Sequence, residues 1–307
     1  MSLIGILVTG GTGLVGKALQ KIQPNLTYIG SKDYNLTKEK EVKSMFEKYK
    51  PTELIHLAAK VGGIMDNINH PADFLYQNVK INTNVIHYAH KYKVKKLIAT
   101  LSNCAYPDVA KKYPMTEDQL YDGLPAPTNL PYGYSKRLLD VQIKSYRKQF
   151  KCKFTSAIPA SIYGPHDTFE GNKSHFLTAL IKKIHDANKA NKKTIKLLGT
   201  GKPLRQYVYS EDVAKVLLLL LKKYDEDEPV NIAPKENLSI KEIAETAIKA
   251  TNSDLKIEFD KSSPDGQYRK DLSSTKLFNT IGIFGFTSLR RGIENTYDWF
   301  KAEEESK

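Results

Sequence analysis

Three glycines at a regular spacing, placed directly after an apolar run, constrain this chain more than any other feature. The run is Ile4-Gly5-Ile6-Leu7-Val8, and Thr9-Gly10-Gly11-Thr12-Gly13-Leu14-Val15-Gly16 follows it at once. A parallel strand buried on both faces reads as such a run, and a helix is expected from Leu14 to Ile22. The spacing Gly10-x-x-Gly13-x-x-Gly16 puts glycine where a tight turn, a close pyrophosphate and a close helix–strand contact each exclude a side chain. The phosphates of a dinucleotide would sit at the positive end of that helix. Gly10, Gly11, Thr12, Gly13, Leu14, Val15 and Gly16 are therefore the expected cofactor loop.

Strand-like runs recur at Leu26–Gly30, Glu53–Leu57, Lys96–Leu101 and Lys153–Ile158. Helical stretches lie between them at Lys38–Tyr49, Pro71–Tyr92 and Tyr132–Gln149. Alternation of this kind predicts an α/β fold, a Rossmann-type doubly wound parallel sheet with helices on both faces. Ligands of such sheets bind beyond the carboxyl ends of the strands. After Gly164-Pro165 the rhythm becomes mixed, with helices expected at Phe176–Ala190, from Glu211, at Ser239–Ala250 and at Leu289–Phe300. Short strands are expected near Ile195–Leu198, Gln206–Tyr209 and Leu255–Phe259. The expected division is a nucleotide-binding domain over 1–163, with about 206–230 packing back onto it, and a smaller mixed α/β substrate domain over 164–307. A cleft between the two would take the substrate.

The chemistry sits in Ser102-Asn103-Cys104 and, thirty residues after the serine, Tyr132-x-x-x-Lys136. Four-residue spacing on a helix puts Tyr132 and Lys136 on one face, one turn apart. A free tyrosine has a pKa near ~10, and a neighbouring ammonium is expected to lower it and make the phenol a usable proton donor. Ser102 is placed to hold the carbonyl oxygen that receives the proton.

Bulk properties exclude other classes. With 307 residues, 40% apolar, the chain can bury a large core. Its longest obvious apolar stretch, Val216 to Leu221, suits a buried helix face and not a membrane span. The first strand opens almost at Met1 and leaves no room for a signal peptide. Two cysteines, Cys104 and Cys152, argue against a disulfide framework and for a cytoplasmic enzyme. The formal charge of +13 raises nucleic acid as a partner, but lysine supplies 41 of the 47 positive charges, scattered along the whole chain. Neither nucleic acid nor membrane is expected as a partner. No metal is expected, because histidines do not cluster at ligand spacing and Cys-x-x-Cys is absent.

These motifs resemble the extended short-chain dehydrogenase/reductases, and within them the GDP-L-fucose synthase family. The likeness continues through His56-Leu57-Ala58-Ala59-Lys60-Val61-Gly62-Gly63, Ser102-Asn103-Cys104-Ala105-Tyr106-Pro107 and Tyr132-Gly133-Tyr134-Ser135-Lys136. It extends to Tyr163-Gly164-Pro165-His166-Asp167, Ser174-His175, Gly199-Thr200-Gly201, Arg205 and Asp265-Gly266-Gln267-Tyr268-Arg269-Lys270. The resemblance implies a homodimer doing NADPH-dependent work on a GDP-linked 4-keto-sugar: epimerisation at C3 and C5, then reduction at C4. It implies that Cys104 and His175 exchange the C3 and C5 protons, while Ser102, Tyr132 and Lys136 serve the reduction. A thiol with pKa ~8.5 needs only a modestly electropositive setting to act as a base, and imidazole titrates near neutrality.

The resemblance further implies cofactor contacts at Leu57, Ala58, Ala59, Lys136, Pro159, Ala160, Ser161, Ile162 and His175. Substrate contacts are implied at Lys183, Leu198, Arg205 and Lys270, with Arg205 forking around the diphosphate. Ser31 and Lys32 follow the second strand, where an acidic residue would select NAD, so NADP(H) is the expected cofactor. Three positions depart from the family pattern. Ser161 closes a segment that usually reads Pro-Thr-Asn, Thr168 stands for an asparagine, and Leu198 stands for a tryptophan. Such a pocket suits a different or bulkier sugar, so a 4-reductase of a related GDP-4-keto sugar, such as a heptose of surface polysaccharide, is the alternative. A non-catalytic NADP-sensing protein is a remote third reading, because such proteins typically lose the Tyr/Lys pair.

Overall fold

The apolar run that opens the chain is a strand buried along its length, β1 (Ile6–Thr9), and the glycines after it lead straight into helix α1 (Leu14–Ile22). The computed structural model describes residues 5–171, 174–263 and 265–306, so Ile4 of that run lies outside the described residues. Alternation continues through β2 (Thr27–Ile29), α2 (Glu39–Tyr49), β3 (Glu53–His56), a short α3 (Ile64–Asn69) and α4 (Pro71–Lys91). Next come β4 (Lys96–Thr100), α5 (Leu130–Phe150), β5 (Lys153–Pro159) and β6 (Ser161–Tyr163). The second half holds α6 (Phe176–Lys189), β7 (Thr194–Leu198), β8 (Leu204–Arg205), β9 (Tyr207–Tyr209), α7 (Ser210–Lys223) and β10 (Val230–Ile232). It ends with β11 (Leu238–Ser239), α8 (Ile240–Ala250), β12 (Lys256–Asp260), α9 (Thr275–Ile281) and α10 (Leu289–Glu305).

Six strands form one parallel sheet in the order β10-β5-β4-β3-β1-β2, which is the doubly wound α/β architecture expected. Register lines up Leu7, Leu54, Leu97 and Phe154 in one row across four strands. All four are buried, and each apolar side chain removed from water contributes roughly 1.5–3 kcal/mol. From β1 the chain steps out to β2 on one side, and every later strand of the sheet falls on the other side. The order therefore reverses at β1, and the crevice beyond the carboxyl ends of β1 and β3 is the place where such sheets hold ligands.

Outside the main sheet, the remaining strands among the described residues form three two-stranded pairs, β6–β9 and β7–β12 parallel and β8–β11 antiparallel. Helix α7 packs on α1, and its run Val216 to Leu221 turns Val216, Leu217, Leu220 and Leu221 into the main core. A second apolar cluster joins α6, α8 and α10 through Ile181, Ile184, Ile243, Ala247, Ile293 and Phe300. Six short elements went unread in the sequence: β6, β8, β10, β11, α3 and α9. Strand β10 is three residues long, too short for a periodicity signal, and forms only because β5 offers it an edge. Helix α3 follows Gly62-Gly63, which hides its start.

Candidate active site

The glycine loop is shaped by what it must avoid. Gly10 has φ +74°, and a Cβ there would stand 2.7 Å from the Ala58 amide nitrogen. A Cβ at Gly16 would collide with the carbonyl oxygens of Gly10 and Gly11, so α1 lies against the loop backbone to backbone. Gly11 N–H donates to the Ile29 carbonyl at 2.8 Å and Gln20 Nε2 donates to the Gly11 carbonyl at 2.7 Å, which fixes the loop. Gly13 caps α1 with no side chain, leaving the first amides of the helix open to an anion. This cradle fits the diphosphate of a dinucleotide.

Beneath it, Thr9 and His56 end adjacent strands. His56 Nδ1 lies 2.7 Å from Thr9 Oγ1 and Nε2 lies 3.2 Å from Asn82 Oδ1. Burial, reinforced by the Lys136 ammonium, pushes the imidazole down to about 4, so it stays neutral. Leu57, Ala58 and Ala59 are half-buried just past it. Ser31 and Lys32 are exposed past β2. Asp33 is the nearest acid, and its Oδ2 accepts the Gly30 N–H at 2.7 Å. Across the crevice, Pro159 and Ala160 are buried at the end of β5, while Ser161 and Ile162 are half-buried in β6.

At the end of β4, Ser102 Oγ accepts the Cys104 N–H at 3.1 Å and caps a 3₁₀ turn over Asn103–Ala105. Tyr132, one turn from Lys136 on α5, packs edge-on against Phe74. Lys136 is buried, its Nζ donating to the Thr100 carbonyl at 2.8 Å and lying 5.8 Å from the centre of the Tyr132 ring. Burial, with a smaller contribution from Cys104, raises the Tyr132 phenol, and only the Ser102 hydrogen bond opposes this. The four-residue spacing predicts the opposite, a phenol lowered by the Lys136 ammonium. The reversal has a physical cause: the ammonium is turned to the Thr100 carbonyl and desolvation dominates. Lys136 itself is pushed down to about 8 by burial, partly offset by Cys104. At neutral pH the phenol thus keeps the proton it would donate.

The Cys104 sulfur has cationic company. Asn129 Nδ2 donates to Sγ at 3.1 Å and Lys270 Nζ donates to it at 3.4 Å. Lys270, expected at the substrate, meets the site at the thiol. His175 is the exposed N-cap of α6. It interacts electrostatically with Asp167, whose carboxyl is raised by burial and held back by the imidazole. Arg205 Nη1 donates to the Leu204 and Gln267 carbonyls, both at 2.7 Å, and its guanidinium is pushed down by burial. Lys183 Nζ donates to the Lys196 carbonyl of β7 at 2.9 Å, and Leu198 at the end of that strand is 70% exposed. Thr200 Oγ1 donates to Asp265 at 2.6 Å, so the segment Asp265–Lys270 runs from the Leu198 turn past Arg205 to Cys104.

A model of the NAD dependent epimerase/dehydratase family matches residues 6–233. The chain belongs to this family. A GDP-L-fucose synthase of Dictyostelium discoideum is 38% identical, covering 96% of this chain and 94% of its own. A GDP-L-fucose synthetase from Naegleria fowleri bound to NADP superposes with a TM-score of 0.91 at 38% identity, over 98% of this chain and 93% of that one. A GDP-L-colitose synthase of Yersinia pseudotuberculosis is 30% identical over 97% of this chain and 98% of its own. In this member of the epimerase/dehydratase family, three polar groups at the site escaped the sequence reading: Asn129 on Cys104, the Thr100 carbonyl on Lys136, and Asp167 beside His175. Asn129 sits three residues before Tyr132, the only local signal for it. The Thr100 carbonyl is a backbone group and leaves no sequence trace.

Proposed function

We propose that this chain is an NADPH-dependent epimerase-reductase that converts a GDP-4-keto-6-deoxy-sugar to GDP-L-fucose. The observation that carries the reading is the cluster of Ser102, Tyr132 and Lys136 with Cys104, whose sulfur receives hydrogen bonds from Asn129 and the Lys270 ammonium. A plain reductase has no use for such a thiol. The near full-length likeness to GDP-L-fucose synthases supports the same substrate.

The C4 ketone acidifies the hydrogens on C3 and C5. Cys104 removes one of them as a base from one face of the ring, and His175 returns a proton from the other. Lys270 and Asn129 steady the sulfur as it gains charge. When bound in this cradle, NADPH would supply the hydride for C4. Tyr132 passes its phenolic proton to the C4 oxygen, which Ser102 holds, and the buried Lys136 ammonium stabilises the phenolate left behind. Gly10 to Gly16 receive the cofactor diphosphate, and Ser31 and Lys32 suit the 2′-phosphate that distinguishes NADP. Lys183, Leu198 and Arg205 line the GDP-sugar side.

Incubation with NADPH and GDP-4-keto-6-deoxy-mannose in D₂O, with products read by NMR, tests this. The expected product is GDP-L-fucose carrying deuterium at C3 and C5, and Cys104→Ser should yield an unepimerised reduced sugar. A wild-type product without deuterium at either carbon overturns the epimerase half. The second reading, a 4-reductase of a related GDP-4-keto sugar, would then hold. Ser161, Thr168 and the exposed Leu198 favour it.

We also assign residues 1–163 with about 206–230 to the cofactor and 164–307 to the sugar nucleotide. The enzyme is read as a cytoplasmic homodimer, with an exposed apolar stripe on α4 and α5 as the pairing face. Among the described residues no helix is long and apolar enough to cross a membrane, and both cysteines are free.

A further inference from the structure

Two neighbouring stripes of α5 serve two different pieces of chemistry. Tyr132 and Lys136, one turn apart, address Ser102 and Thr100. Gly133 and Arg137, also one turn apart and one residue later, address the turn that carries Cys104. Arg137 Nε donates to the Ala105 carbonyl at 2.7 Å, and Nη2 donates to the Gly123 carbonyl at 2.6 Å. The guanidinium lies 5.8 Å from the Tyr121 ring centre and 5.6 Å from that of Tyr134, and Arg137 is 7% exposed. A Cβ on Gly133 would stand 2.5 Å from the Cys104 carbonyl oxygen, so helix and turn touch backbone to backbone. From the other side, the Tyr106 hydroxyl donates to Asn231 Oδ1 of β10 at 2.9 Å.

A buried guanidinium is a costly way to join two carbonyls. Among the described residues it meets two neutral phenol rings and no carboxylate, and methionine would fill the space without burying a charge. What the arginine adds is a rigid fork at the residue next to the reactive sulfur.

We propose that Arg137 is a positioning residue for the Cys104 half of the reaction, holding the Cys104 turn in register with Tyr132 so that one helix serves both proton transfers. This rests on the epimerase-reductase reading above. The test compares wild type with Arg137→Met and Arg137→Lys by three measurements. Deuterium incorporation at C3 and C5 of GDP-4-keto-6-deoxy-mannose reads the Cys104 step. Oxidation of GDP-L-fucose by NADP⁺, followed as NADPH formation, reads hydride transfer at C4. Amide hydrogen exchange of residues 103–106 reads the tether.

In Arg137→Met, deuterium incorporation should fall about a hundredfold, the size expected of a displacement near 1 Å, while oxidation at C4 keeps its rate. Amides 103–106 should exchange faster. Arg137→Lys, with one donor left for Ala105, should recover part of the loss, and it carries the comparison if the methionine variant fails to fold. Equal losses in both reactions, or unchanged deuterium incorporation, overturn the positioning role. Unchanged amide protection in Arg137→Met overturns the tether itself. A wild type that incorporates no deuterium overturns the epimerase reading instead, and the amide measurement still decides the tether.

Discussion

Lys136 shows at the scale of one residue how function opposes stability. Its ammonium is buried, with a backbone carbonyl as its hydrogen-bond acceptor, and burial pulls it from 10.5 to about 8. Below about 8 the group is charged in both folded and unfolded chains, and the full desolvation cost, about 3 kcal/mol, weighs on the fold. Between about 8 and 10.5 the unfolded chain keeps a proton that the folded chain has shed, so stability rises with pH and the cost is relieved. Lys136→Met should therefore abolish reduction yet stabilise the fold at about pH 7 by about 1 kcal/mol, after the Thr100 carbonyl loses its donor. The rising limb above about pH 8 should vanish in the variant. Urea unfolding at about pH 7 and about pH 9.5 reads both effects. A variant less stable than wild type at the lower pH contradicts the argument.

At the scale of the element, α1 and the loop before it act as one unit. The helix can approach the loop only because Gly16 presents no side chain to the Gly10 and Gly11 carbonyls. Gly16→Ala would raise helix propensity, yet the methyl has backbone on its far side and cannot be accommodated by a rotamer change. It should destabilise by about 1–3 kcal/mol through overpacking. Because the displaced loop is the phosphate cradle, NADPH affinity should fall about tenfold or more, equivalent to about 1.4 kcal/mol. Thermal unfolding with and without NADPH separates the two effects. An alanine variant with wild-type affinity would mean that the cradle does not bind the cofactor.

Across the whole molecule, one apolar surface stands out as exposed among the described residues. Tyr134, Leu138 and Val141 lie at helical spacing on α5, and Leu75 and Tyr76 stand exposed on α4, which packs beside it. Leu138 is 38% exposed and Tyr76 63%. A self-complementary helix face of this kind suits a two-fold dimer. Light scattering should give twice the mass of one chain for wild type and the mass of a single chain for Leu138→Glu. Fold and hydride transfer should survive in the variant, since the stripe faces away from Lys136. A monomeric wild type removes the dimer from the proposal.

The six-stranded sheet was legible in five of its strands, because long buried runs alternating with amphipathic helices leave only one architecture that covers both faces. The glycine spacing and Tyr132-x-x-x-Lys136 were legible for the same kind of reason, since both depend on local geometry a few residues long. Strand β10 was not, because three residues carry no period and its pairing is supplied by β5. The company of Cys104 was not legible either. Lys270 arrives 166 positions later in the chain and Arg137 acts through a backbone carbonyl, so neither contact has a local signature. The direction of the Tyr132 shift belongs to the same class. Sequence supplies the neighbouring ammonium, but burial is a property of the packed whole, and here burial sets the direction.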